Sequence, residues 1–210
     1  IMELQFFGAN CLKVVSKKTT VIVDDNLVEL GAKSITKPGD TRVFTVTAPS
    51  DKLEGSFIVA QPGEYEIGDV SIVGVPAQAH VDESGSQNAT MYKIVADDIR
   101  LAVVGHIDPK LSEAQLEALG TIDVLVVPVG GGGFTLDAVG AGQVIKAIEP
   151  KIVIPAYYDD SKLKFPVPAV KLQDALKELA MEPKETTSKL KVKPTDLMSD
   201  QPQLYVLERQ

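Results

Sequence analysis

The sequence predicts an α/β (α+β) fold in which two sheets pack face to face with helices on their outer faces. Two observations carry that prediction. The first half of the chain is a series of short runs rich in Val, Ile, Phe and Thr, separated by Gly, Pro, Asp and Ser, which is the chemistry of strands. Helical periodicity enters only after residue 111, and there it alternates with further apolar strands. A mostly antiparallel half followed by alternating strand and helix buries its apolar faces as two stacked sheets covered by helices.

ELQFFG, CLKVVS and TTVIVDD open the strand series, and RVFTVT, SFIVAQ, YEIGDVSIVGV, TMYKIV and the apolar run IRLAVV continue it. Each gathers β-branched or aromatic residues between turn formers. The polar stretch AQAHVDESGSQNA, residues 77–89, is the longest irregular piece and is expected as a surface loop of functional character. Ser112 and Gln115, flanked by Leu111 and Leu116, form a capping box with a hydrophobic staple, so SEAQLEAL reads as a short helix. IDVLVVPV follows as a strand. Ala138, Ala141, Ile145 and Ile148 share one stripe of a second helix that starts near Thr135 and ends at Glu149 before Pro150. KIVIPAYY is another buried strand, and a third helix runs from about Pro168 through Val170, Leu172, Leu176 and Leu179. KLKVK and QLYVLE close the series as strands. Leu116, Ile145 and Leu176 should point from the three helices toward the sheets.

A chain of 210 residues fits one domain, taken as residues 2–210 with Ile1 before the first Met set aside. No window approaches the roughly 20 apolar residues of a membrane span, and the N-terminus lacks the order of a signal peptide, so a cytoplasmic protein is expected. With 29 acidic and 21 basic residues the net charge is −8, which repels a phosphate backbone and argues against nucleic acid as a partner. The lysines of KLKVK read as the solvated face of an edge strand. A single cysteine, Cys11, agrees with a reducing compartment and reads as a buried small apolar residue rather than a nucleophile. PVGGGGFTLDA lacks the Lys and Ser/Thr of a phosphate-binding loop and reads instead as a turn needing close backbone approach.

FFGANCLKV, VIVDD, PGEYEIGDVSIVGV, GHIDPKL, IDVLVVPVGGGGFTLDA and PKIVIPAYY, in this order and spacing, resemble the metallo-β-lactamase-fold superfamily. The resemblance is to its small bacterial zinc-dependent hydrolases related to the L-ascorbate-6-phosphate lactonase branch. It covers residues 2 to about 208 and implies a four-layer αββα sandwich, with metal ligands on loops at one edge of the sheets.

The departures from that family carry the functional information. Where the family has HxHxDH, this chain has VTAPSDK, so Asp51 keeps the aspartate position while Thr47, Pro49 and Lys52, or Ala48 and Ser50 with a one-residue gap, replace histidines. None of Thr, Pro or Lys suits zinc here. Ala9 stands for a histidine after the first strand, and Tyr157 or Ala156 for the last one. His80 falls where the family places a ligand histidine. His106 occupies the place of a carboxylate that bridges two ions.

The resemblance therefore implies a hydrolase-family member whose two-metal site is largely lost, with weak, altered or no hydrolytic activity. An alternative is a mononuclear zinc site of His80, His106 and Asp51 with an open water position, hydrolysing an ester, lactone, lactam or phosphoester, with Asp51 and Tyr157 as catalytic groups. A second alternative is a non-catalytic binding or assembly module. A small-molecule substrate and a homo-oligomer are compatible with these readings. Asp51, His80, His106 and Tyr157 are expected to converge at one edge of the sandwich.

Overall fold

The computed structural model describes residues 1–50 and 55–210. Among these residues six strands form the smaller sheet: β1 (Met2–Phe6), β2 (Leu12–Val15), β3 (Thr20–Val23), β4 (Thr41–Val43), β5 (Phe57–Val59) and β13 (Leu190–Val192), in the order β13-β1-β2-β3-β4-β5. β13, β1, β2 and β3 pair antiparallel, whereas β3, β4 and β5 run parallel. This parallel pairing is an exception within a first half that is otherwise antiparallel, as expected. Residues 24–40 return the chain across the sheet instead of folding back as a hairpin, and a crossover of that length is what parallel pairing needs.

The larger sheet begins with β6 (Gly63–Ile67), β7 (Val70–Ala77), β8 (Ala89–Ala96), β9 (Ile99–Val103), β10 (Val124–Pro128) and β11 (Ile152–Ala156). β12 (Pro183–Thr187) and β14 (Gln203–Leu207) complete it in the order β12-β14-β11-β10-β9-β8-β7-β6. YEIGDVSIVGV is not one strand but the hairpin β6–β7, turned at Gly68, whose φ of 61° matches the first central position of a primed turn. β12 has no counterpart among the expected strands, because PKETT is polar and almost wholly exposed and so shows no apolar alternation. β13 does lie at a sheet edge with Lys191 exposed between two buried residues.

β9, β10 and β11 are mutually parallel, and their burial explains their unbroken apolar sequences. On β10, Val124 and Val126 face the core between the sheets, while Leu125 and Val127 face the helices. Leu4, Val21, Tyr92, Ile94, Leu101 and Ile154 fill the inter-sheet core. The bidentate Arg100–Asp123 pair, with both nitrogens at 2.8 Å, ties the start of β9 to the residue before β10.

Helix α1 (Glu113–Leu119) is capped as its sequence requires: Gln115 N–H donates to Ser112 Oγ at 3.1 Å, and Ser112 N–H donates to Gln115 Oε1 at 2.8 Å. Its buried residue is Leu119, with Leu116 only half-buried. Helix α2 (Ala138–Ile148) starts later than expected, because Asp137 rather than Thr135 caps it, accepting from Gly140 N–H at 2.8 Å. Helix α3 (Leu172–Leu179) is also shorter than expected. Val170 N–H donates to the Gly130 carbonyl, and its own carbonyl accepts from Asp159, so this segment is spent on inter-loop bonds instead of a helical turn. Ile145 and Leu176 join the cluster over the larger sheet as expected, and α3 also packs along α2. All three helices cover the outer face of the larger sheet. Over the smaller sheet the outer layer consists of turns, with Leu27, Leu30 and Ile35 closing over Cys11 and Ile22.

No described helix is long and apolar enough to cross a membrane.

Candidate functional site

Parallel strands finish at one end of a sheet, and side chains placed just beyond that end share a crevice. β9 ends at Val103 and leads through Gly105 to His106, β10 leads through the glycine turn to Phe134, and β11 runs directly into Tyr157. In the smaller sheet β3 ends before Asp24, β4 leads to Thr45, and the β1–β2 turn carries Ala9 and Asn10. These ends enclose a cleft of about 240 Å³, walled by Asn10, Asp24, Glu29, His106, Phe134 and Tyr157.

The backbone is strained where it enters this cleft. Ala9, Asp24 and Tyr157 adopt φ of 51°, 48° and 51°, the left-handed region that side chains disfavour by about 1–3 kcal/mol each. Tyr157 N–H donates to the Ala9 carbonyl at 2.8 Å, so two of the strained residues hold each other across the two sheets.

His80 and His106 come together as expected. His80 N–H donates to the His106 carbonyl at 3.1 Å, and Ala79 bridges Ile107. Their rings have different surroundings. His80 Nδ1 lies 3.1 Å from the Ile107 carbonyl, and when it donates there the lone pair stays on Nε2. His106 Nε2 lies 3.3 Å from Asn10 Nδ2, and its buried Nδ1 has no hydrogen-bond partner among the described residues. The His106 ring sits edge-on to Tyr157 at 4.5 Å and to Phe134 at 4.9 Å. Burial foremost, with His80 adding to it, pushes its pKa down to about 4, so the imidazole is neutral near neutral pH.

Tyr157 is 5% exposed and stacks against Phe134 at 5.8 Å. Burial pushes its phenol up to about 12, which keeps it protonated. Asp24 is 6% exposed, and burial lifts its carboxyl to about 6 even though Thr45 donates both its backbone N–H at 2.8 Å and its hydroxyl at 2.5 Å. Gly105 is required beside this pair, because its φ is 63° and an added Cβ would overlap the Thr45 hydroxyl. Neighbouring Asp25 braces the turn that follows β3, since one of its oxygens accepts from the hydroxyls of Ser34 and Thr36 and from the N–H groups of Ile35 and Thr36.

Cys11 is fully buried, and burial together with Asp25 and Asp24 raises its pKa well above the usual thiol value, so it is no nucleophile. The glycine turn is a close-packing device, since a Cβ at Gly130 would overlap the Tyr157 carbonyl oxygen.

Of the four residues expected to converge, His106 and Tyr157 line the cleft, His80 adjoins His106 through its backbone, and Asp51 lies outside the described residues. Asn10, Asp24, Glu29 and Phe134 were not anticipated as site residues. Asp24 and Phe134 had a readable signal, since each follows a strand whose neighbours end at the same edge. Asn10 and Glu29 lie in turns where nothing in the sequence marks them.

The described donors do not by themselves make a two-metal centre. Among the described residues no group of three His, Cys, Asp or Glu side chains is placed to hold an ion. His80 has the orientation of a ligand imidazole, whose second nitrogen commonly donates to a backbone carbonyl. The His106 ring packs edge-on against two aromatic rings instead.

Comparison with known proteins agrees with this architecture. The sequence profile of the beta-lactamase superfamily domain matches residues 3–157. A candidate Zn-dependent hydrolase of the metallo-beta-lactamase superfamily from Thermotoga maritima superposes with a TM-score of 0.77 at 23% identity, covering 99% of each chain. Igni18, a metallo hydrolase from Ignicoccus hospitalis, gives a TM-score of 0.63 at 16% identity over 99% of this chain and 95% of its own. The metallo-beta-lactamase fold protein YhfI from Bacillus subtilis gives 0.59 at 8% identity over 100% and 98%. At these identities the likeness is one of fold. No curated protein matches the sequence.

Proposed function

We propose, from the premise that the chain belongs to the metallo-β-lactamase superfamily, that it has left two-metal hydrolysis behind and uses the remaining cleft to bind a small molecule. One observation carries this reading: His106, which the resemblance assigns to the place of the bridging carboxylate, packs edge-on against Phe134 and Tyr157 at 4.9 and 4.5 Å. A shared water needs two cations roughly 3.5–4 Å apart to become a nucleophile near neutral pH. An imidazole offers one lone pair to one ion, so it does not replace a group that holds two. Hydrolysis of an ester, lactone, lactam or phosphoester is then weak or absent, and Tyr157 serves as a wall and hydrogen-bond donor.

A mononuclear zinc site is the second reading, favoured by the ligand-like orientation of His80 beside His106. Zinc would supply a Lewis acid there, held by the two imidazoles with Asp51.

Elemental analysis of dialysed protein, followed by calorimetric zinc titration of the parent, His80→Ala and His106→Ala, decides between them. The proposal expects no stoichiometric metal and the same weak zinc binding in all three proteins. Stoichiometric metal that both substitutions abolish, together with metal-dependent turnover of an ester, lactone, lactam or phosphoester, overturns it.

A further inference from the structure

The walls of the cleft have a chemical bias that the family fold does not require. Phe134 and Tyr157, with ring centroids 5.8 Å apart and planes 23° from parallel, give it an aromatic wall. Phe165 packs against Tyr157 at 4.7 Å. Two carboxylates line the same cleft, Asp24 with 6% exposure and Glu29 at an exposed position, together with Asn10. No lysine or arginine contributes to the walls among the described residues. An anionic substrate would therefore meet like charge from Asp24 and Glu29, and desolvating it there would be costly. A positive charge meets the reverse: the negative face of an aromatic ring attracts a cation within about 6 Å of its centroid, and the buried Asp24 carboxylate strengthens that field.

Size narrows the ligand further. At about 240 Å³ the cleft falls below the roughly 300–1,000 Å³ of pockets for drug-sized molecules, so its occupant is compact. A metal ion is too small to use the aromatic wall, and a long cationic peptide side chain would need an open groove. We infer that the cleft binds a small organic ammonium ion, seated against Phe134 and Tyr157 with its charge toward Asp24 and Glu29. This rests on the reading of the cleft as a small-molecule site and names the class of molecule it takes. The net charge of −8 draws such a cation toward the protein at low ionic strength.

The test uses three probes of nearly one shape and the chelator-treated full chain. Choline carries the quaternary ammonium, 3,3-dimethyl-1-butanol replaces its nitrogen with carbon, and 3,3-dimethylbutanoate carries a negative charge. Calorimetry or ligand-observed NMR should show choline binding at least about tenfold more tightly than the neutral isostere, with no binding of the anion. Phe134→Leu should weaken choline by roughly three- to thirtyfold while leaving the isostere little changed. Glu29→Gln, at an exposed position that does not threaten folding, should cost a few-fold, and added salt should erase that loss. Equal binding of choline and its isostere, or no binding of either, overturns the ammonium inference and leaves the small-molecule reading standing. Binding of the anion only after zinc is added overturns both, because it places a metal in the cleft.

Discussion

Asp24→Asn tests the electrostatics of the cleft floor through protein stability. In the folded chain the Asp24 carboxyl is lifted from 3.8 to about 6, chiefly by burial, and the two bonds from Thr45 only partly offset that. A shift of about two units corresponds to roughly 3 kcal/mol between the two protonation states. Below pH 3.8 both folded and unfolded chains hold the proton, and Asp24 contributes no pH dependence. Between 3.8 and about 6 the unfolded chain has released its proton while the folded chain keeps it, so raising the pH lowers stability. Above about 6 both are ionised and the full penalty remains. Asparagine has no such titration. It keeps its carbonyl for the Thr45 N–H, and the Thr45 hydroxyl can turn to accept from the new amide. Urea unfolding of both proteins at about pH 4.5 and about pH 7 measures the effect, with other carboxylates cancelling in the difference. Relative to the parent, the variant should gain about 2 kcal/mol between those two pH values. A difference that does not change with pH would mean that Asp24 is solvated. A change of opposite sign would mean that the folded chain stabilises the anion, and the argument from burial would fall.

The glycine turn and Cys11 supply further tests. Gly130→Ala should cost about 3 kcal/mol or more in thermal unfolding, because its Cβ would overlap the fixed Tyr157 carbonyl. Gly133→Ala should cost only about 1 kcal/mol, since nothing lies within 4 Å and only its φ of 73° is at issue; a larger loss at 133 than at 130 would refute the close-approach explanation. Iodoacetamide should leave Cys11 unmodified in the native protein and label it fully in urea, and rapid native labelling would contradict its burial and raised pKa.

Elements marked by a local cap or an unbroken apolar run were legible in the sequence, and elements held by long-range bonds were not. The capping box of α1 could be read because both partners lie within one turn, Ser112 and Gln115. β10 and β11 could be read because both of their faces are buried. The start of α3 could not, since Val170 is claimed by Gly130 and Asp159, far away in sequence. β12 is polar throughout and is a strand only because β14 offers it an edge. At the site, His80, His106 and Tyr157 were identified from their places in family motifs. Asn10 and Glu29 gained their meaning only when strands from two sheets ended together.

What braces that meeting point explains how the cleft keeps its shape with so few metal donors. In a two-metal site the ions themselves tie loops from both sheets together. Here the same loops are joined by protein bonds: Tyr157 N–H to the Ala9 carbonyl links the end of β11 to the β1–β2 turn, and Asn10 reaches His106 beyond β9. Asp24 takes both donors of Thr45, which locks the ends of parallel β3 and β4, while Gly105 lets the His106 loop pack onto Thr45. His80 N–H closes the circuit on the His106 carbonyl. Each bond is worth only about 1 kcal/mol net, yet each fixes a different strand end, and the strained φ angles at Ala9, Asp24 and Tyr157 persist because their neighbours over-determine them. A cleft fixed in this way is preorganised before any ligand arrives, and little of its binding energy is lost to ordering the walls.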